Sequence, residues 1–265
     1  MEIAMKFFVL VIFAYFMGNI NFARILSKTR NDDITKHDSG NPGTMNMLRT
    51  HGVKLGVFTL IFDAIKAVIP CLIGQLLLFR GDPYLAELSI YVAGLSCVLG
   101  HMYPVIHKFK GGKGVASGFG MAMVANPIST SICLAVFIIT LLIFKIASLS
   151  SMICAVGFVV TETVLLALHD YYLAIALLWV LFFLIIYAHR SNIKRMLQRK
   201  ENKVNLQDAV QKDIDYAKSK KEKRMQKKLE KKQSKVENSK NEEIKETSEE
   251  IKNVEAKKDE EVITE

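Results

Sequence analysis

Long apolar stretches follow one another from the first residues to about position 190, and this pattern restricts the chain to folds that a hydrocarbon solvent permits. In that solvent every backbone N–H and C=O must find its partner inside the protein, which a helix does within its own segment. A helix needs about 20 mainly apolar residues to cross a bilayer, and shorter ones cross where the bilayer thins or where they pack inside a bundle. On that count seven candidates run at roughly 3–26, 53–79, 86–107, 113–126, 129–146, 150–168 and 171–188, the fourth short and glycine-rich.

The turns between them alternate in charge. Lys28, Arg30, Lys36, Arg49 and Lys54 follow the first span, Lys108, Lys110 and Lys113 the third, Lys145 the fifth, and Arg190, Lys194 and Arg195 the seventh. The alternate turns are poorer in cations: Arg80 sits with Asp82 and Glu87, then come Asn126-Pro127 and His169-Asp170. Basic residues stay on the cytoplasmic side, so the N-terminus is expected outside and the C-terminus in the cytoplasm. An odd number of spans requires the same. The segment from Met1 to about Leu26 has one early lysine and an apolar run but lacks a convincing small-residue cleavage site, and it reads as a retained first helix.

After about Arg199 the composition changes to Lys, Glu, Asn, Gln and Ser, with Tyr216 the single aromatic and a Lys-Lys-Glu-Lys-Arg run at 220–224. Such a segment has no core of its own to bury. Good helix formers and opposite charges at helical spacing allow it transient helix. The expected organisation is therefore an all-α integral membrane protein with seven transmembrane helices over 1–202, and a charged low-complexity cytoplasmic tail over 203–265.

The net charge of +9 does not point to nucleic acid, because the basic residues flank apolar spans and no aromatic-interleaved basic surface accompanies them. An anionic membrane surface fits them better. Cys71, Cys97, Cys133 and Cys154 sit singly in apolar stretches, without a C-x-x-C pair or a neighbouring His cluster, and read as buried thiols; no metal and no cofactor is expected.

Three polar clusters interrupt the apolar pattern, all on the expected cytoplasmic side. The first is Asp38-Ser39-Gly40-Asn41-Pro42-Gly43-Thr44-Met45-Asn46-Met47-Leu48-Arg49. Glycines admit close backbone approach, so N–H groups, small hydroxyls and the following arginine could surround a phosphate; by itself the stretch is also an ordinary Asn-Pro-Gly turn. The second is Gly100-His101-Met102-Tyr103-Pro104, followed by Lys108-Phe109-Lys110-Gly111-Gly112-Lys113-Gly114. A glycine pair between lysines at a helix start suits an anion, although lysines at helix ends also anchor to headgroups. It is not a Walker A loop, since His107 stands five before Gly112 and Gly114 follows Lys113. The third pairs Ser148-Leu149-Ser150-Ser151 with Tyr187-Ala188-His189-Arg190-Ser191-Asn192-Ile193-Lys194-Arg195, where His189, Arg190 and Asn192 bring a proton acceptor, a cation and an amide within one turn. Asp63 and Lys66, three apart inside the second span, share a helix face.

Other chemistries require patterns that the chain lacks. Five residues on from His101, His107 and His189 stand Ile106, Gly112 and Lys194, so the His-x4-Asp of soluble-type acyltransferases is absent. So are a Gly-x-Ser-x-Gly elbow, a His-Glu-x-x-His helix and a paired-aspartate helix for phosphotransfer.

Taken in order on one topology, the clusters resemble the motifs of the membrane-bound acyl-phosphate:glycerol-3-phosphate acyltransferase family, often called PlsY, over about residues 1–202. The resemblance is carried by Ser39 to Arg49, by Gly100-His101 with Tyr103-Pro104 and Phe109 to Ser117, by Ser148 to Ser151, and by His189-Arg190-Ser191-Asn192-Ile193. It implies a seven-helix bacterial inner-membrane enzyme, with its site on the cytoplasmic face, that moves a fatty acyl group from acyl phosphate to the sn-1 hydroxyl of glycerol 3-phosphate. Lysophosphatidic acid and phosphate result. It also implies binding by Ser39, Asn41, Gly43, Asn46, Arg49, His101, Lys110, Gly111, Gly112, Lys113, Ser150 and Arg190, with His189 and Asn192 orienting the attacking hydroxyl. The partners implied are the two substrates, the bilayer and an enzyme that forms acyl phosphate. Two departures stand out: Asp63-Ala64-Ile65-Lys66 is followed by Ala67 where the family tends to have glycine, and Lys200-Glu201 replaces Gly-Glu. Two other readings remain at this stage, a transporter of phosphorylated anions and a scaffold that recruits partners through the tail.

Overall fold

The computed structural model describes residues 1–231, 233 and 234, and these residues are built of helices joined by turns. The chain divides into two compact units, Met1–Asp213 and Ile214–Glu265. In the second unit residues 214–231, 233 and 234 are helical and exposed, and the rest of the expected tail lies outside the described residues.

The first unit orders its helices as α1 (Glu2–Asn19), α2 (Phe22–Lys28), α3 (Thr44–His51), α4 (Val53–Leu72, prolonged by a π-helical turn over Ile73–Leu78), α5 (Pro83–Met102), α6 (Val115–Ala125), α7 (Pro127–Phe144), α8 (Ala147–Ala167), α9 (Tyr172–Ala188) and α10 (Arg190–Leu197). Residues 206–213 add a last helical stretch. The starts follow from local chemistry. Asn21, Asp82 and Asn126 cap α2, α5 and α7 by accepting the N–H groups of Arg24, Leu85 and Ser129, and proline occupies the first turn of α5 and α7, where its missing N–H costs nothing. Pro70 lies inside α4 and deprives the Lys66 carbonyl of its helical donor. The Cys97 thiol, 3.5 Å away, takes that place.

Among the described residues five helical segments are long and apolar enough to cross a membrane, and a sixth crossing results if α9 and α10, bent by 51°, form one span. The fourth expected span is the 11-residue α6, about 16 Å of helix, which is too short to reach across unaided. α5 is the central helix, packed by α1, α4, α6 and α9, and 67% of its apolar window is buried against 6% for α7. On α7 only Thr130 is buried, while Ile128, Ile132, Ile139, Leu142 and Ile143 stand exposed. An apolar outside of this kind is stable against lipid tails rather than water.

Close helix approach depends on missing side chains. A methyl group on Gly100 of α5 would stand 2.1 Å from the Tyr15 carbonyl oxygen of α1, and one on Gly120 of α6 2.2 Å from the Ala64 carbonyl oxygen of α4. Buried polar groups pair internally: Glu162 of α8 accepts from the Tyr91 hydroxyl at 2.6 Å and from the Asn126 amide at 3.2 Å. Lys66 Nζ lies 2.7 Å from Asp63 Oδ1, donates to the Ile20 carbonyl at 2.6 Å and reaches His101 Nδ1 at 2.8 Å. These contacts join α1, α4 and α5 directly beneath the polar end of the bundle.

Candidate active site

Three segments from distant parts of the chain meet at that end: the 37–43 loop before α3, the Gly111–Gly114 turn before α6, and the α9–α10 junction. Between them lies a cavity of about 330 Å³ lined by Ser39, Gly40 and Asn41, by Tyr103, Gly111, Gly112 and Lys113, and by Arg190, Ser191 and Arg195.

The loop is fixed from behind. Asn46, fully buried on α3, points its amide nitrogen at the carbonyls of Ile34, His37 and Asn41, 3.0 to 3.1 Å away, so it shapes the loop whose Ser39 and Asn41 face the cavity. Asp38 and Gly40 adopt left-handed backbone conformations, φ 45° and 68°, which turn the chain sharply around Ser39. Gly43 caps α3. Arg49, in the last turn of α3, pairs through Nε with Asp38, whose other oxygen accepts from Asn202 at 2.7 Å.

The glycine pair rests on His101. Gly112 N–H donates to the His101 carbonyl at 3.0 Å and Gly111 N–H to that of Met102 at 3.1 Å. The buried ring lies so close beneath that a methyl group on Gly112 would be 2.1 Å from Nε2. Lys66 can only donate, so His101 Nδ1 accepts and the ring hydrogen sits on Nε2.

The third wall is a linear network. Lys113 Nζ donates to Asn192 Oδ1 at 2.5 Å, and the Asn192 amide nitrogen donates to Glu201 at 2.5 Å. Glu201 also accepts from Ser148 Oγ at 2.8 Å and Arg195 Nε at 2.7 Å. A lysine that only donates and a carboxylate that only accepts fix which way the Asn192 amide faces. Burial opposes the charge of Glu201, but the bonds from Asn192, Arg195 and Ser148 outweigh it and hold its carboxyl below the usual range. Lys113 is drawn down to about 8, first by burial, then by the charges of Arg195 and Arg49, with Glu201 pulling the other way. His189 is buried with Nδ1 2.8 Å from the Ile185 carbonyl, which places the hydrogen on Nδ1 and leaves the Nε2 lone pair free.

The structure thus brings Ser39, Asn41, Gly111, Gly112, Lys113 and Arg190 to one cavity, with Arg49, His101, His189 and Asn192 bracing or bordering it. Lys110 is exposed, and its carbonyl accepts from Arg24 at 3.1 Å; its side chain is not part of the cavity wall. Ser150 is buried and donates to the Ile146 carbonyl, while Ser148 is the serine that joins the network. Sequence reasoning did not single out Arg195, Asn202 or Glu201 as site groups. The available signal was Glu201 itself, one acid in a run that holds Arg195, Arg199, Lys200 and Lys203.

Known proteins resemble this chain in both sequence and fold. The chain is 37% identical over 198 residues to the glycerol-3-phosphate acyltransferase of Finegoldia magna, covering 74% of this chain and 95% of that protein. It is equally similar to the Bacillus subtilis protein of that name, at 37% over 198 residues, with 74% and 96% covered. Among solved structures, the glycerol 3-phosphate form of PlsY (YgiH), an integral membrane glycerol 3-phosphate acyltransferase, superposes with a TM-score of 0.66 at 34% identity, over 75% of this chain and 96% of that one. The lysophosphatidic acid form gives 0.64 at 33%, over 77% and 98%. The model of the glycerol-3-phosphate acyltransferase family matches residues 8–199, and the chain belongs to that family.

Proposed function

We propose that this multi-pass membrane protein transfers a fatty acyl group from acyl phosphate to the sn-1 hydroxyl of glycerol 3-phosphate, releasing lysophosphatidic acid and inorganic phosphate. The observation that carries this reading is the cavity in which the Ser39–Asn41 backbone faces Lys113, Arg190 and Arg195, while Asp38 and Glu201 are already engaged by Arg49, Asn202, Asn192 and Arg195. Among the described residues no carboxylate pairs with Lys113 or Arg190, so these two cations are left to meet an anion from outside, and the apolar α9 that ends at the cavity suits an acyl chain.

In the reaction the hydroxyl oxygen bonds to the acyl carbonyl carbon, the bond from that carbon to the phosphate oxygen breaks, and phosphate leaves with the electron pair. Phosphate is a competent leaving group, so orientation and charge neutralisation supply most of what catalysis needs. Arg49 and the 39–43 loop hold the phosphate of glycerol 3-phosphate, Lys113 neutralises the leaving phosphate, and Asn192 with His189 orients the hydroxyl. The Nε2 lone pair of His189 accepts the hydroxyl proton.

The chain crosses the bacterial inner membrane seven times in this reading, α6 making a short crossing inside the bundle, with the N-terminus outside and the site on the cytoplasmic face. The distribution of basic turns and the bacterial relatives support it. Acyl phosphate is unstable and apolar-tailed, so an enzyme that forms it is the expected partner. The test supplies purified protein with labelled glycerol 3-phosphate and either palmitoyl phosphate, palmitoyl-CoA or palmitoyl acyl carrier protein. Product from palmitoyl phosphate alone is expected, with a KM for glycerol 3-phosphate about tenfold or more higher in Arg49→Ala, since charge-assisted bonds carry that much. Absence of product from every donor would overturn the assignment and favour anion transport.

A further inference from the structure

The helix that carries Arg49 is short. α3 has 8 residues, too few to persist alone in water, and its last turn presents carbonyls with no helical partner. The chain then bends at Gly52, φ 96°, directly into α4. What secures this corner comes from the far end of the sequence. Lys212 Nζ donates to the Arg49 carbonyl at 2.5 Å, and an ion pair of 2.9 Å with Asp208, one turn earlier, aligns it. Asp213 accepts the Lys54 N–H at 2.9 Å, a carboxylate on the start of α4, and its other oxygen would lie 2.6 Å from a methyl group on Gly52. Val204 and Ala209 are buried against Leu48 and Ala147, and Val204 N–H donates to the Lys145 carbonyl at 2.7 Å. Asn202 donates to Asp38, the carboxylate that pairs with Arg49.

Residues 202–213 therefore hold Arg49 at its main chain, through Lys212, and at its guanidinium, through Asn202 and Asp38. None of them lines the cavity. They also lie past residue 199, where the match to the acyltransferase family model ends. We propose that residues 202–213 form a positioning strap that sets the affinity of the site for the phosphate of its substrate by holding the α3–α4 corner and the Arg49 side chain in place. The identity of that substrate as glycerol 3-phosphate rests on the function proposed above. The strap acts on binding rather than on the acyl-transfer step, because the bonds described above join it to the α3–α4 corner, to Asp38 and to Lys145 rather than to Lys113, Asn192 or His189.

The test compares the full-length protein with Lys212→Ala/Asp213→Ala and with Lys212→Arg, reading steady-state kinetics and hydrogen exchange of the backbone amides of residues 44–54. The double variant is expected to raise the KM for glycerol 3-phosphate about three- to tenfold, the ratio that one or two such hydrogen bonds carry, with kcat little changed and exchange over 44–54 faster. Lys212→Arg, which keeps a cation for the Arg49 carbonyl, is expected to stay near the unaltered protein in both. An unchanged KM, unchanged exchange, or a loss of kcat at constant KM would overturn the strap. A higher KM in Arg49→Ala with none in the double variant would discard the strap and leave the acyltransferase function standing. Should the unaltered protein transfer no acyl group, the function falls, and unchanged exchange over 44–54 would then dispose of the strap as well.

Discussion

Lys113 joins the cavity to the polar network behind it, and its charge has a pH limit. With its proton held only up to about 8, the side chain is a cation below that pH and neutral above it. With Lys113 at the leaving phosphate as proposed, the KM for acyl phosphate is accordingly expected to climb as pH passes about 8, in a profile measured between about pH 6 and 10. Lys113→Arg should flatten the climb, since a guanidinium stays charged throughout. Glu201→Gln should move it to lower pH, because it removes an anion that favours the lysine charge. A climb at the same pH in all three proteins would refute this role for Lys113. At this scale the sequence made legible the residue types that need special geometry, the Gly111-Gly112 pair and the polar runs at 38–49 and 187–195. It did not reveal Asn46 as a support for its own loop or Ser148 in place of Ser150 in the network, since side-chain direction within a polar run has no period to read.

The helices meet through absent side chains as much as through present ones. Gly100 admits Tyr15 of α1 against α5, so Gly100→Val is expected to destabilise the detergent-solubilised protein by about 1–3 kcal/mol or more, the range for forced overpacking, seen as a lower unfolding temperature. A methyl group on Gly81 would meet nothing within 4 Å among the described residues, and Gly81→Ala should leave that temperature where it was. Equal shifts in both would mean that the α1–α5 contact is looser than described. Each of the seven apolar stretches contains a helix, because long apolar runs are a strong signal. The length of α6 and the short helices α2, α3 and α10 were less legible: each has 11 residues or fewer, and its position depends on caps and tertiary contacts rather than on an extended pattern.

For the molecule as a whole, the sidedness of the basic turns can be tested in cells. In a protein whose Cys71, Cys97, Cys133 and Cys154 are changed to Ala, a membrane-impermeant maleimide should label Arg80→Cys in intact cells but reach Lys36→Cys and Lys200→Cys only after lysis. The opposite pattern would invert the topology. Sequence could not show that residues 203–213 return to the first unit, because the bond between Lys54 and Asp213 spans 159 positions and no local composition announces it. That return also carries a temporal consequence. Lys212 is made 163 residues after Arg49, so at translation rates of about 5–20 residues per second the nascent chain waits roughly 8–33 seconds between inserting its arginine-bearing corner and synthesising the lysine that secures it. The corner is thus in the membrane before its strap exists, and the affinity of the site for phosphate is set by the last part of the first unit to leave the ribosome.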